Sequence, residues 1–332
     1  MKRLIDSFGR HIDYLRISVT DHCNLRCSYC TPFSGRTHLP RAEILSYEEM
    51  YTVAKAALMA GITKIRITGG EPLVRKGLVG FCKMLSGVDG LESLALTTNG
   101  VRLKELAQPL FEAGVRRINV SLDTLKPERF KKLTGGDHFF QVVSGIRQAE
   151  EVGFSPIKIN TVVMRGINDD EIEDLANLTL KKPYHVRFIE LMPTRGWQDS
   201  SHDSLYFPVD EIMKRIRQIG GAQIGPATDT FGPARICTLP GAIGKVGFIA
   251  PLGWHFCGSC NRIRLTADGK LKSCLFSEEE IDIKGNLRAG AGMDELVDIF
   301  KRVVVRKPDG HHLNQKKKRC TSARPMMRAI GG

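Results

Sequence analysis

Six short β-rich runs recur along the first two thirds of the chain: Tyr14 to Thr20, Lys64 to Gly70, Ser93 to Gly100, Arg116 to Asp123, Pro156 to Met164 and His185 to Pro193. Helical stretches separate them. The clearest runs from Ser46 to Ala60, with Ser46 placed to cap it, Glu49 to complete a capping box and Gly61 to end it. Strand, helix and strand repeated in this way dictate a parallel sheet with right-handed crossovers. Six such units fall short of the eight that close a standard barrel. The expected fold is therefore α/β, a partial (βα)6 barrel left open on one side. At 332 residues the length also allows two domains, and composition shifts to Gly- and Pro-rich near Gly220. We expect a barrel over residues 1–220 and a second region over 221–332.

Period two along the strands sorts side chains onto two faces, one apolar and one polar. The polar face carries Arg16, Ser18 and Thr20, then Lys64, Arg66 and Thr68, then Asn119 and Ser121, then Lys158 and Asn160, then Arg187. Barrel interiors are ordinarily filled with branched aliphatics, so a face this polar predicts a wet cavity. Cations pointing into one cavity repel each other and are costly to desolvate unless an anion compensates. A multiply charged anionic ligand follows. Lys and Arg outnumber Asp and Glu by 49 to 36, a formal net charge of +13, which agrees in sign but also suits nucleic acid or acidic membrane. With 42% hydrophobic residues the chain is no fibre, disordered tail or disulfide miniprotein. No apolar run approaches the ~20 residues of a membrane helix, and residues 1–10 show no signal-peptide core, so we expect a soluble, cytoplasmic protein.

Nine cysteines are present, six of them in two tight groups: Cys23, Cys27 and Cys30, and Cys257, Cys260 and Cys274. Such clustering favours metal ligation over disulfides, because thiolates a few residues apart can converge on one ion or cluster. Cys82, Cys237 and Cys320 stand alone and are expected to be structural thiols. The first group supplies three ligands and leaves a position open, the arrangement a metal needs to bind a substrate or cofactor directly. For the second group, a closed zinc site completed by His255 is the competing reading.

The first group, C-x3-C-x2-C with Tyr29 before the last cysteine, resembles the signature of radical S-adenosylmethionine enzymes. The resemblance implies a 4Fe-4S cluster on Cys23, Cys27 and Cys30, its fourth iron chelated by S-adenosylmethionine. Gly69-Gly70-Glu71-Pro72, after the second strand, resembles the element of that family that contacts the methionine moiety. Tyr29, Gly70, Ser121 and Met192 carry over as contacts to the cofactor, at the carboxyl ends of strands where α/β sites assemble.

C-x2-C-x13-C enclosing Asn261-Arg262-Ile263-Arg264-Leu265-Thr266, joined to the elements above and to a terminal Gly331-Gly332, is similar to the GTP 3′,8-cyclases of molybdenum cofactor biosynthesis. That family usually has Met after the third cysteine, where this chain has Thr31 before Pro32. The resemblance implies a second 4Fe-4S cluster on Cys257, Cys260 and Cys274 that offers its open iron to the guanine base. Arg16, Arg66, Thr97, Lys158, Arg262, Arg264 and the backbone of Ile263 carry over as GTP contacts. Arg16, Arg262, Arg264 and the tail glycines Gly331 and Gly332 carry over as catalytic. A 5′-deoxyadenosyl radical would take the hydrogen at C3′, and C3′ would then close onto C8 of guanine. The family's product passes to a cyclic pyranopterin monophosphate synthase; the electron donor stays unnamed, and a homodimer is compatible with the resemblance. A zinc-bearing nucleic-acid binder using the Lys316-Lys317-Lys318-Arg319 run, or a radical enzyme acting on RNA or peptide, are the rivals. The first leaves the polar strand face without a purpose.

Overall fold

The computed structural model describes residues 3–30, 38–193, 203–219, 223–228, 233–254 and 256–311. All six expected runs are strands, each two or three residues shorter than its sequence run: β1 (Tyr14–Ser18), β2 (Lys64–Thr68), β3 (Ser93–Thr98), β4 (Arg117–Ser121), β5 (Lys158–Val163) and β6 (His185–Glu190). The trimmed residues lie mostly at the carboxyl ends, where the backbone turns away into loops. Helix α1 (Tyr47–Ala60) follows its signals closely. Ser46 Oγ accepts from the Glu49 N–H at 3.1 Å, the Glu49 carboxylate accepts from the Ser46 N–H at 2.7 Å, and Gly61 closes the helix at φ 117°.

Strands β1 to β6 pair in parallel and in sequence order. The second region extends this sheet rather than forming its own. β9 (Lys245–Ile249) adds in parallel to β6, and β10 (Arg262–Leu265) adds in parallel to β1 at the opposite margin. Eight parallel strands thus run in the order β10-β1-β2-β3-β4-β5-β6-β9. β9 and β10 do not pair with each other. Antiparallel β8 (Arg235–Thr238) with β7 (Gln223–Thr228) lies outside β9, and β11 (Lys270–Lys272) with β12 (Ile281–Asp282) lies outside β10. The barrel is therefore open between β9 and β10. Those two strands are short, lie in Gly- and Pro-rich sequence and have, among the described residues, only a single 3-10 turn (Cys257–Ser259) between them, so the βα repeat did not signal them.

Period two sorts the faces as expected. Leu15, Ile17, Ile65, Ile67, Leu96, Ile118, Val120, Ile159, Val186 and Phe188 are buried in the helix-covered core. Arg66, Asn119, Lys158, Arg187 and Arg264 alternate with them on the opposite, concave face and are also buried. Cys82 and Cys237 are buried core thiols. Lys64 departs from the expected cationic lining, because its Nζ is held by Asp13 at 2.6 Å and so contributes no free charge.

Buried glutamates fix the carboxyl ends of the strands. Glu71 accepts from Leu73 N–H, Thr98 Oγ1 and Asn99 N–H, tying the end of β2 to that of β3. Glu171 accepts from Thr124 Oγ1, Leu125 N–H and Arg129. Glu190, at the end of β6, accepts from Tyr206 Oη, Val209 N–H, Leu252 N–H and Gly253 N–H at 2.8–3.1 Å. Each removes several orphan donors from the rim with one carboxylate. Replacing Glu190 with Ala leaves those donors buried without an acceptor, so unfolding in urea should show a loss of roughly 3 kcal/mol or more. A loss under about 1 kcal/mol would mean that water replaces the carboxylate.

Candidate active site

The first cysteine group occupies the loop that leaves the carboxyl end of β1. Thr20 O accepts from Gly70 N–H at 2.6 Å and His22 O from Glu71 N–H at 2.7 Å, so the Gly-Gly turn after β2 lies directly on this loop. A Cβ at Gly70 would stand 2.3 Å from His22 O, and one at Gly69 would stand 2.8 Å from Thr20 O. The glycines are thus required by chain packing against the cysteine loop, whatever ligand also approaches them. Asn99, in the turn that Glu71 holds, brings Nδ2 to 3.8 Å from Cys23 Sγ. Tyr29 donates its hydroxyl to Asp123 Oδ2 at 2.6 Å, while Asp123 Oδ1 accepts from Val162 N–H, which anchors the loop to the ends of β4 and β5. Burial pushes the Cys23 thiol up to about 11 and that of Cys27 well above its usual value, with Asp123 and the other two thiols adding to the rise at Cys27. Three thiols among buried acids call for a cation.

The second group assembles at the other end. Because β9 and β10 are parallel but lie at opposite margins, residues 250–261 travel from the carboxyl end of one margin to the amino end of the other. Cys257 and Cys260 close that passage just before β10 begins at Arg262. β11 returns antiparallel, with Lys272 beside Arg264, and brings Cys274 back to the same end. Arg10, paired with Asp6 at 2.5 Å, donates to the carbonyls of Cys257, Pro308 and Asp309, and so knots the cysteine loop to the segments around residues 6–10 and 308–309. Lys307 is buried and donates to the carbonyls of Arg262 and Ser273 at 2.8 and 2.7 Å. Although burial opposes it, the Arg262 guanidinium and then Lys307 draw the Cys260 thiol down to about 6.

Between the two ends stands the cationic wall. Register places Arg264, Arg16 and Arg66 side by side on β10, β1 and β2, with Arg262 beside Tyr14 one step below. Arg66 donates to Tyr14 Oη at 2.6 Å and to Thr97 Oγ1 at 3.2 Å. Thr97, Asn119 and Lys158 continue the lining in register across β3, β4 and β5. Burial first, then Arg264 and Arg66, hold Arg16 well below the usual guanidinium pKa, and burial with Arg262 draws Arg264 down to about 10. Ile263 is wholly buried on the helix-facing side, so only its backbone faces the site. From Tyr14 to Ser18 the strand spans four rises of ~3.3 Å, which sets the two cysteine groups more than about 13 Å apart along it.

The donor sets fit iron-sulfur clusters. In a tetrahedral zinc site with bonds of about 2.3 Å, sulfurs stand roughly 3.8 Å apart. Among the described residues, the one His, Cys, Asp or Glu group whose ligand atoms all lie within 4.8 Å of one another is Asp21, His22 and His38, so neither cysteine triad is drawn together as for a single ion. Asn119 Oδ1 and Asn160 Oδ1 are buried with no hydrogen-bond partner, which leaves the cavity wall short of donors that a polar ligand would bring. Ser121 ends β4, Gly70 lies two residues past β2 and Met192 two past β6, so with Tyr29 they ring the first cysteine loop's end of the barrel. Gly331, Gly332, Thr31, His255, Cys320 and the Lys316 to Arg319 run lie outside the described residues. Asp123 stood out in the sequence only as a residue at the carboxyl end of a strand, and Arg10 and Lys307 carried no signal, since their partners are remote in the chain. The Thr-Thr-Asn-Gly turn after β3 was the only signal that could have found Asn99.

Comparison with known proteins agrees with this architecture. Residues 17–179 match the radical SAM superfamily, and residues 184–313 match the family Molybdenum Cofactor Synthesis C. The chain is 49% identical over 308 residues to a GTP 3′,8-cyclase of Moorella thermoacetica, covering 93% of this chain and 95% of that one. It is 48% identical over 313 residues to the GTP 3′,8-cyclase of Pelotomaculum thermopropionicum, with the same coverage. Among solved structures, Streptococcus suis SuiB bound to S-adenosylmethionine shares the fold, with a TM-score of 0.63 at 14% identity over 89% of this chain and 67% of that one. Such identity along nearly the whole length, on a sheet with a thiol triad at each end, makes this chain a member of the GTP 3′,8-cyclase family within the radical SAM superfamily.

Proposed function

We propose that the chain binds GTP along the cationic wall between its two cysteine triads and converts it to (8S)-3′,8-cyclo-7,8-dihydroguanosine 5′-triphosphate, the first step of molybdenum cofactor biosynthesis. One observation carries the reading: four guanidiniums, those of Arg16, Arg66, Arg262 and Arg264, share a concave wall between two sulfur sites that each leave a position open. When bound, S-adenosylmethionine on the first cluster supplies a 5′-deoxyadenosyl radical, and the second cluster supplies an iron with a free position for the guanine base. The protein contributes position and charge. Cys23, Cys27 and Cys30 hold the first cluster, with Tyr29, Gly70, Ser121 and Met192 around the sulfonium cofactor. Cys257, Cys260 and Cys274 hold the second.

Arginine suits the triphosphate because its planar fork pairs two phosphate oxygens at once, whereas Lys158 acts as a point charge. Thr97, already bonded to Arg66, orients that guanidinium, and the Ile263 backbone lies where β10 faces the nucleotide. Arg16, Arg262 and Arg264 act closest to the reacting nucleoside, with the Gly331-Gly332 tail as the remaining catalytic element. In this division residues 1–220 carry the first cluster and part of the GTP wall, and residues 221–332 carry the second cluster, the rest of the wall and the Gly-Gly tail. The product feeds a cyclic pyranopterin monophosphate synthase, an external donor reduces the first cluster, and the setting is cytoplasmic. Among the described residues no helix is long and apolar enough to cross a membrane.

Anaerobically reconstituted enzyme given GTP, S-adenosylmethionine and dithionite should release 5′-deoxyadenosine together with a cyclised nucleotide. Appearance of 5′-deoxyadenosine with RNA or peptide but not with GTP would sink the reading. Arg264→Ala removes a guanidinium that is desolvated and repelled by its neighbours. It should weaken GTP binding by about tenfold or more, while the nucleotide-free variant melts at or above the wild-type temperature with its iron intact. Calorimetry with and without GTP checks both arms, and a variant with unchanged affinity places Arg264 outside the site. In iron-free protein, Cys260 should alkylate with iodoacetamide half-maximally near pH 6, whereas Cys23 stays protonated to about pH 11. Mass-spectrometric mapping from pH 5 to 9 checks this ordering, and Lys307→Met should shift the Cys260 midpoint upward.

A further inference from the structure

We propose that Asp21, His22 and His38 form a second kind of metal site, one that takes a divalent cation of the zinc type and clamps the two flanks of the first cysteine loop. Asp21 is buried, and one of its carboxylate oxygens, Oδ2, accepts the Leu39 N–H at 2.9 Å and lies 3.3 Å from His38 Nδ1. The other oxygen, Oδ1, is buried with no hydrogen-bond partner. His22 Nε2 stands 3.8 Å from it, too far for a hydrogen bond. A buried carboxylate oxygen left without a donor is costly in a chain this rich in cations, and a metal ion is the compact charge that satisfies it.

Two imidazole nitrogens are already turned to the same carboxylate. The His22 and His38 rings stack face to face, with centroids 4.0 Å apart and planes within 7°, which keeps both imidazoles beside Asp21. One ligand atom from each of the three residues lies within 4.8 Å of the others. Donors around zinc at about 2.0–2.1 Å stand roughly 3.3 Å apart, so the half-exposed His22 ring has to swing out of the stack for both imidazole lone pairs to meet on one ion. Nitrogen, nitrogen and oxygen donors suit zinc, and iron(II) by the same donor logic, far better than they suit calcium or magnesium. His22 is half exposed, which leaves the fourth position open to water.

Placement gives the ion a purpose that the sulfur chemistry does not supply. Asp21 and His22 immediately precede Cys23, and His38 follows Cys30 by eight residues, so one cation ties together both arms of the segment that carries the first cluster's ligands. The test uses the full-length, iron-loaded enzyme with Zn2+ as the probe, equilibrated anaerobically and freed of loose metal on a chelating resin. About one zinc per chain should remain, and X-ray absorption at the zinc edge should show nitrogen and oxygen neighbours near ~2.0 Å with no sulfur near ~2.3 Å. His38→Ala and, separately, His22→Gln should each weaken zinc binding by about tenfold or more while iron content stays at the wild-type level. A sulfur shell, zinc held equally well by both variants, or no zinc on the wild-type enzyme would each overturn the proposal.

Discussion

Like-charge crowding is the constraint around which this molecule is built. Parallel pairing sets Arg264, Arg16 and Arg66 at the same level of three adjacent strands, at a spacing of about 4.8 Å between neighbours. No folding advantage comes from that arrangement, since each guanidinium loses water and meets another of the same sign. Everything around the row limits the damage. Tyr14 and Thr97 take up the hydrogen bonds of Arg66, Asp13 draws Lys64 away, and buried glutamates freeze the rim so that the cations cannot splay apart. A polyanion entering the cavity relieves the repulsion, so the free protein holds electrostatic strain that favours anions at this wall.

The two sulfur sites sit in opposite electrostatic settings. At the carboxyl end of β1 burial first, and then Glu71 beside Cys23, Asp123 beside Cys27 and the neighbouring thiols, push the Cys23 and Cys27 thiols up. Near the start of β10, Arg262 and Lys307 draw Cys260 the other way. Iron bound at the first end is therefore held in a more negative surrounding than iron at the second. That polarity suits a division of labour in which one end donates an electron and the other receives an electron-rich base.

Local chemistry was legible in the sequence, and remote chemistry was not. Cys23, Cys27 and Cys30 announce themselves because a cluster's ligands come from one short loop, and Arg16 and Arg66 do so because period two is a local rule. The partial barrel followed from the same rule applied six times. β9 and β10 escaped, being five and four residues long without a crossover helix to mark them. Lys64 reads as a cavity cation until Asp13, fifty-one residues away, is seen to neutralise it. Arg10 reads as a surface residue until its guanidinium is found on the carbonyl of Cys257, two hundred and forty-seven residues on. The paired glycines looked like room for a ligand, and the structure shows that they first make room for the chain itself.

The placement of β9 and β10 at opposite margins of the parallel run bears on how such a chain can be cut, shuffled or inherited. Severed near residue 220, the first region would expose the unpaired backbone of β1 on one side and of β6 on the other, two edges ready to pair with any passing strand. The second region alone would hold two short ribbons parted from each other by the loss of the parallel strands between them. Neither part is a module that could be exchanged between enzymes like a bead on a string. The second region is also the cover on both edges of the first, so β9, β10 and the strap between them can be rewritten only while those edges stay covered.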